Sequence, residues 1–152
     1  DDIVKSCGGK PGDSPVVDGE YRKRSPVSYL RNAKGKVRLH IATGITDGHN
    51  GSVPISHSLL AFNEVAEEKD RIGSEEIAFM TKESRLPDTL IRADPDPTFG
   101  GKQPVFRRSS ATVTVTIFDG GHEIIQPAAI AWMQGLYQSG RTKDQGDSKT
   151  GR

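Results

Sequence analysis

An aspartate and a histidine, each in a glycine-rich turn, are the residues in this sequence whose types and spacing could do chemistry. Asp47 lies five residues after Ala42, where one apolar alternation ends, and His122 lies four residues after Phe118, where a second one ends. A carboxylate beside an imidazole fixes the tautomer of the ring and stabilises its protonated form, which is the role of the acid in a Ser–His–Asp triad. The pair therefore predicts acid–base chemistry, provided that the fold brings the two turns together.

Glycines flank both residues and permit the tight turns that such a placement needs. They are Gly44, Gly48, Gly120 and Gly121. Aspartate and histidine in glycine-rich loops are also common as plain turn formers, so a purely structural role for Asp47 and His122 is the first alternative.

The other histidines offer a second alternative. A metal site formed by Asp47, His49 and His122 is conceivable, although the sequence has no ligand spacing of the H-E-x-x-H kind. His40 falls within the first alternation, where we interpret it as structural. His57 falls opposite the apolar face of a predicted helix and is interpreted as a surface residue.

Two strand–helix units must position the pair. Residues 37–42 and 111–118 alternate between apolar and other side chains, which is typical of strands. Apolar residues recur at helical spacing from Ile55 to Ala66, after Pro54, and again in residues 125–136. Strands that alternate with helices favour a parallel sheet, so we predict an α/β fold of parallel strand–helix–strand–helix order.

Two strands do not make a stable sheet, and both alternate as strands near the edge of a larger sheet do. We therefore predict that residues 1–138 are the C-terminal part of a larger α/β domain with an incomplete sheet. Residues 1–20 are rich in turn formers, and residues 71–110 are predicted to be an insertion, with one short helix capped by Ser74. Residues 139–152 contain nothing apolar and are predicted to form a disordered tail.

Composition limits the classes of function. The chain has 152 residues and a formal net charge of +1, which gives no reason to expect nucleic acid or an anionic membrane as a partner. No apolar run has the length of a membrane span. Cys7 is the single cysteine, so an internal disulfide is excluded.

The sequence supplies no nucleophile for the pair. Ser14 comes nearest to a G-x-S-x-G elbow, but the second glycine is missing, and Pro15 removes a backbone N–H that an oxyanion hole needs. Cys7 has no context that indicates a lowered thiol pKa. The remaining upstream candidates are Ser6, Ser25 and Ser28, and none follows an apolar strand.

The two motifs together resemble the C-terminal part of an α/β-hydrolase catalytic domain of the prolyl-oligopeptidase type. VRLHIATGITDGH is similar to the strand and turn that present the triad acid in that family, and FDGGHE is similar to the turn that presents the triad histidine. YRKRSPVSYL and Val53-Pro54-Ile55 are similar to flanking segments of the same domain, so the resemblance covers about residues 18–137.

The resemblance implies a serine-type hydrolase of ester or peptide bonds in which Asp47 is the triad acid, His122 is the base and no cofactor takes part. The partners implied are a small-molecule ester or peptide substrate and a serine supplied by a missing N-terminal half of the domain or by another chain. The isolated chain is predicted to be inactive. An alternative is a non-catalytic interaction domain that retains the hydrolase scaffold; a metal-dependent hydrolase is a further one.

Overall fold

The computed structural model describes residues 2–51 and 53–147 of the chain. At its centre, Leu39–Gly44 (β1), Pro104–Ser110 (β2) and Val113–Phe118 (β3) form a three-stranded sheet of spatial order β1–β3–β2. β1 and β3 are parallel, and β2 is antiparallel to β3. The chain is thus a mixed α/β fold with a small mixed sheet, and the parallel pairing predicted for the two alternating strands is confirmed.

Helices surround this sheet. Those of the described residues are α1 (Asp2–Cys7), α2 (Pro15–Arg24), α3 (Val27–Leu30), α4 (Ile55–Val65), α5 (Ser74–Glu83) and α6 (Gln126–Asp147). α4 follows β1 in the chain and packs against both β1 and β3. The apolar face predicted for this helix is confirmed, because Ile55, Leu59 and Phe62 are fully buried.

The main hydrophobic core lies between α4 and one face of the sheet. Val113, Val115 and Ile117 of β3 point into it, together with Met80 of α5 and Phe106 of β2. The opposite face of β3 is covered as well, since Phe118 packs there against Phe99 and Ala128. β3 is therefore buried on both faces, and it provides the rigid support from which the His122 turn emerges.

Residues 71–110 are more ordered than we predicted. They contain α5, a 3-10 turn at Pro97–Phe99 and the strand β2. The turn from β2 to β3 passes through Ala111, which adopts a left-handed conformation with φ of 47°. Such turns usually carry glycine or asparagine, so the hairpin lacks the sequence signal that would have revealed it.

The start of α5 also differs from the prediction. Gly73, rather than Ser74, occupies the N-cap position, and its backbone N–H donates to Glu76 Oε2 at 3.0 Å. The carboxylate of the first helical turn therefore replaces the predicted serine hydroxyl as the group that reaches back to the helix start.

The turn formers of residues 1–20 favour turns over regular structure, and this expectation is wrong. Residues 1–20 include α1 and the beginning of α2, where Ser14 Oγ accepts a hydrogen bond from the Val17 N–H at 3.2 Å. Ser-Pro can open a helix as readily as a turn, because serine caps the first N–H groups and proline fits the first helical position. Among the described residues of this part of the chain, Cys7 and Val17 are the buried apolar ones, whereas Ile3 and Val16 are exposed.

At the C-terminal end, α6 continues to Asp147, so residues 139–147 are helical where we predict a disordered tail. A helix that has already formed adds further residues at little cost, and arginine, lysine and glutamine have good helix propensity. The rest of the predicted tail, residues 148–152, lies outside the described residues. No helix in the described part of the chain is long and apolar enough to cross a membrane.

Candidate active site

The turn after β1 holds Asp47 by backbone hydrogen bonds. The Ile45 N–H donates to the Phe118 carbonyl oxygen at 2.9 Å, which continues the parallel pairing beyond the strand. The Asp47 N–H donates to the Gly44 carbonyl at 3.1 Å, and the Asp47 carbonyl accepts from the Ile55 N–H at 3.3 Å. The acid is thereby fixed between the end of β1 and the start of α4.

The turn after β3 lies directly against the turn after β1. The Thr46 N–H and Thr46 Oγ1 both donate to the Gly120 carbonyl oxygen, at 3.0 Å and 2.8 Å. A Cβ atom at Gly44 would lie only 2.2 Å from that same oxygen and 2.4 Å from the Gly121 carbonyl oxygen. The absence of a side chain at position 44 is therefore what allows the two backbones to meet.

The two turns bring Asp47 and His122 into contact. His122 Nδ1 lies 3.1 Å from Asp47 Oδ1 and 3.3 Å from Asp47 Oδ2. Thr43 Oγ1 donates a further hydrogen bond to Asp47 Oδ2 at 3.3 Å. Because a carboxylate only accepts hydrogen bonds, Nδ1 carries the proton, and the lone pair of the neutral ring lies on Nε2.

Burial differs sharply between the two partners. Asp47 is only 6% exposed, whereas the side chain of His122 is 56% exposed. Within the described part of the chain, His122 Nε2 makes no hydrogen bond. The arrangement is a buried carboxylate beside a half-exposed imidazole, which can take a proton at Nε2 from a group that approaches it.

Gly51 closes one side of the pair. A Cβ atom at this position would lie 2.7 Å from His122 Cβ and 3.3 Å from Asp47 Oδ1. Gly48 has a φ of +88°, which favours glycine, and this conformation turns the loop back towards Pro54. The loop that follows Asp47 therefore lies across the imidazole at a distance that only glycine permits.

The remaining histidines lie elsewhere. His49 Nε2 is 2.8 Å from the Thr81 carbonyl oxygen, so this ring binds to α5. His40 Nε2 is 2.9 Å from Thr116 Oγ1. His57 is exposed on α4, as predicted.

A metal site receives no support from the geometry. The described residues hold no group of three histidine, cysteine, aspartate or glutamate side chains placed to bind an ion. His49, which the sequence offered as a ligand with Asp47 and His122, is hydrogen bonded to α5 instead.

The serines and the cysteine considered as nucleophiles serve other roles or lie elsewhere in the fold. Ser14 caps α2, and Cys7 is buried at the end of α1. Across the described residues, no serine or cysteine side chain hydrogen bonds to His122. Ser52, in the loop that follows Asp47, lies outside the described residues.

Several residues around the pair carried no sequence signal. Thr43 lies one residue beyond the predicted strand of residues 37–42, and its bond to the acid follows from its position four residues before Asp47. Gly51 and Glu123 were visible only as loop residues, although both contact the His122 turn. Lys102, which pairs with Glu123, lies in the segment that we interpreted as an insertion.

Comparisons of this chain with protein-family models, with curated proteins and with solved structures found no match. The contact between Asp47 and His122 is therefore the feature of the structure that indicates a chemical role.

Proposed function

We propose that this chain supplies the acid and the base of a serine-type hydrolase that cleaves ester or peptide bonds. Asp47 orients the imidazole, and His122 moves protons to and from the reacting groups. The sequence resemblance to α/β-hydrolases of the prolyl-oligopeptidase type implies the same assignment of the two residues.

One observation carries the proposal. His122 Nδ1 lies 3.1 Å from the buried Asp47 carboxylate, at the carboxyl end of two parallel strands. In open parallel sheets, functional groups collect in the crevice beyond this end of the strands. A histidine that only formed a turn would need neither a buried carboxylate beside its ring nor the hydrogen bond that Thr43 donates to that carboxylate.

The chemistry follows from the ring geometry. His122 Nε2 removes the proton from a serine hydroxyl as its oxygen attacks the carbonyl carbon of the substrate. The imidazolium that forms then donates this proton to the leaving alcohol or amine, and water repeats the two steps on the acyl-enzyme. Asp47 stays ionised throughout and stabilises the imidazolium through Nδ1.

We infer that the serine and the oxyanion hole are supplied by a further segment of polypeptide, in the same protein or in another chain, because no serine of this sequence lies in a G-x-S-x-G elbow. We therefore expect no turnover by this chain alone. Ester or peptide hydrolysis belongs to the complete assembly, in which the nucleophile approaches the exposed face of His122.

The test is hydrolysis of an activated ester by the complete protein and by two variants. His122→Ala should lower kcat by several orders of magnitude, because the base is removed. His57→Ala removes an exposed histidine from α4 and should leave the rate unchanged. Equal rates for the His122→Ala variant and the unchanged protein would end the proposal.

A non-catalytic interaction domain is the second candidate, and the open side of β1 favours it. β1 lies at an edge of the described sheet, and Ile124 and Met133 nearby are 79% and 55% exposed. Apolar groups beside an unpaired strand are typical of a surface that binds another polypeptide. A complete reading frame without a G-x-S-x-G elbow would favour this candidate over the hydrolase.

A further inference from the structure

The turn that carries His122 is closed by the residue that follows it. The Glu123 N–H donates to the Gly121 carbonyl oxygen at 3.0 Å. In return, Glu123 Oε1 accepts a hydrogen bond from the Gly121 N–H at 3.2 Å. His122 thus lies at the tip of a three-residue turn whose two ends are tied to each other by both the backbone and a side chain.

Lys102 holds the Glu123 side chain in place. Its ammonium group donates to both carboxylate oxygens of Glu123. Lys102 is itself fixed, because its N–H donates to the Phe99 carbonyl oxygen at 3.1 Å. The next residue in the chain, Gln103, accepts a hydrogen bond from the Asp119 N–H at 2.9 Å, so this segment is attached to the His122 turn at two places.

The chemistry of Glu123 suits this role. The hydrogen bond from Lys102, and next the one from the Gly121 N–H, hold the pKa of the Glu123 carboxyl below its usual value. The group is therefore an ionised acceptor at neutral pH. Its Oε1 would lie 2.8 Å from a Cβ atom at Gly120, so the carboxylate occupies the space that a side chain there would fill.

We propose that Glu123, held by Lys102, is a positioning residue for His122. It fixes the backbone on both sides of the histidine, so that Nδ1 stays directed at Asp47 and Nε2 stays open. The inference rests on the proposed function only in naming His122 as the base. The effect on the orientation of the ring follows from the contacts alone.

Nuclear magnetic resonance on the 152-residue chain tests this directly. In Glu123→Ala, we expect hydrogen exchange of the Gly121 amide to accelerate about three- to tenfold, as for the loss of one hydrogen bond. The Nδ1–H resonance of His122 should broaden or disappear in the same variant. The matched control is Glu83→Ala, which breaks the exposed Lys82–Glu83 ion pair on α5 and should leave both signals unchanged.

Two further variants separate the role of Glu123 as a hydrogen-bond acceptor from the role of its negative charge. Glu123→Gln keeps a side-chain oxygen for the Gly121 N–H and should restore most of the protection, whereas Lys102→Met should give an intermediate result. If Glu123→Ala does not fold, the Lys102→Met signals decide the question. The inference would be overturned if the variants at positions 123 and 102 behaved like Glu83→Ala. In that case the Gly121 amide would exchange at the same rate in all of them, and the His122 Nδ1–H resonance would be the same.

Kinetics of the complete protein give an independent readout. Glu123→Ala should lower kcat with little change in KM, and Glu123→Gln should recover most of the rate, because only the orientation of the base is affected. A fully active His122→Ala variant would remove the proposed function and leave the resonance result untouched. The failure of one proposal is therefore distinguishable from the failure of the other.

Discussion

Gly51 shows how closely the loop after Asp47 constrains the base. A methyl group at this position would overlap His122 Cβ, since the two carbons would be 2.7 Å apart. Either the loop or the His122 side chain must then shift, and Asp47 Oδ1, 3.3 Å from the same added atom, is disturbed as well. At the scale of single residues, the site depends on the absence of a side chain as much as on the presence of two.

Under the proposed function, Gly51→Ala should therefore lower kcat of the complete protein by about 10²-fold, because a misplacement of roughly 1 Å has an effect of this size. Gly101→Ala is the matched control, since a Cβ atom there has no heavy atom within 4 Å. Steady-state kinetics of the two variants check the prediction, and equal kcat values would contradict it.

His40 makes stability depend on pH. Burial first, and then the charge of Arg107, lower the pKa of His40 below its usual value of 6.5, while Asp96 opposes the shift. As pH falls below 6.5, the unfolded chain gains a proton at His40 that the folded chain does not yet accept. The unfolded state then binds more protons, so stability is full above this pH and decreases below it.

Replacement of His40 by glutamine should flatten this dependence. We expect the difference in Tm between about pH 8 and about pH 5 to be smaller in His40→Gln than in the unchanged chain. His57→Gln, on the exposed side of α4, should keep the original difference. Thermal unfolding at several pH values measures it, and an unaltered difference in His40→Gln would contradict the assignment.

At the scale of elements, α5 ends in a conformation that its sequence does not favour. Ser84, at the C-cap, has a φ of 50° and lies in the left-handed region, where glycine is usual. Its hydroxyl is buried without a hydrogen-bond partner in the described structure. Both the backbone and the side chain of this residue therefore destabilise the end of the helix.

Ser84→Gly should raise the free energy of unfolding by about 1 kcal/mol, since it removes the backbone strain and the unpaired hydroxyl together. Ala78→Gly, at an exposed interior position of the same helix, should lower it by about 1 kcal/mol. Urea denaturation measures both changes. If both variants changed the free energy of unfolding in the same direction, the left-handed conformation of Ser84 would not be the cause of the change.

The sequence predicts those elements that have a periodic pattern and a conventional boundary. β1, α4 and β3 meet this condition, and their parallel arrangement brings Asp47 and His122 together. β2 is not predicted because its hairpin turns at Ala111, a residue that does not signal a turn. α2 is not predicted because Ser14-Pro15 is compatible with either a turn or a helix start. Gly51, Lys102 and Glu123 could not be predicted as site residues, since only tertiary contacts give them that role.

At the scale of the whole molecule, β1 forms one edge of the described sheet. The Leu39 N–H donates to the Thr112 carbonyl oxygen, towards β3. Because alternate residues of a strand in a parallel pair bond to opposite sides, the N–H groups of His40 and Ala42 point away from β3. These groups have no partner strand in the described sheet, and we propose that a strand of the polypeptide that supplies the serine pairs with them.

Hydrogen exchange tests this arrangement. In the isolated chain, the amides of His40 and Ala42 should exchange at least about tenfold faster than the amide of Leu39. In the complete protein all three should be protected, if a further strand pairs with β1. Rapid exchange at His40 and Ala42 in the complete protein would place β1 at a true sheet edge, and the serine would then have to arrive by another route.

The contact between Gly44 and the Gly120 carbonyl has one more consequence. Because the Ile45 and Thr46 N–H groups bind the Phe118 and Gly120 carbonyls, the sheet register sets how closely the two turns approach. The Thr46 hydroxyl and the Glu123 carboxylate then complete the placement of Asp47 and His122. A designer who wished to graft this acid–base dyad onto another scaffold would need to copy two parallel strands, their two turns, and the side chains of Thr46, Lys102 and Glu123 that hold those turns.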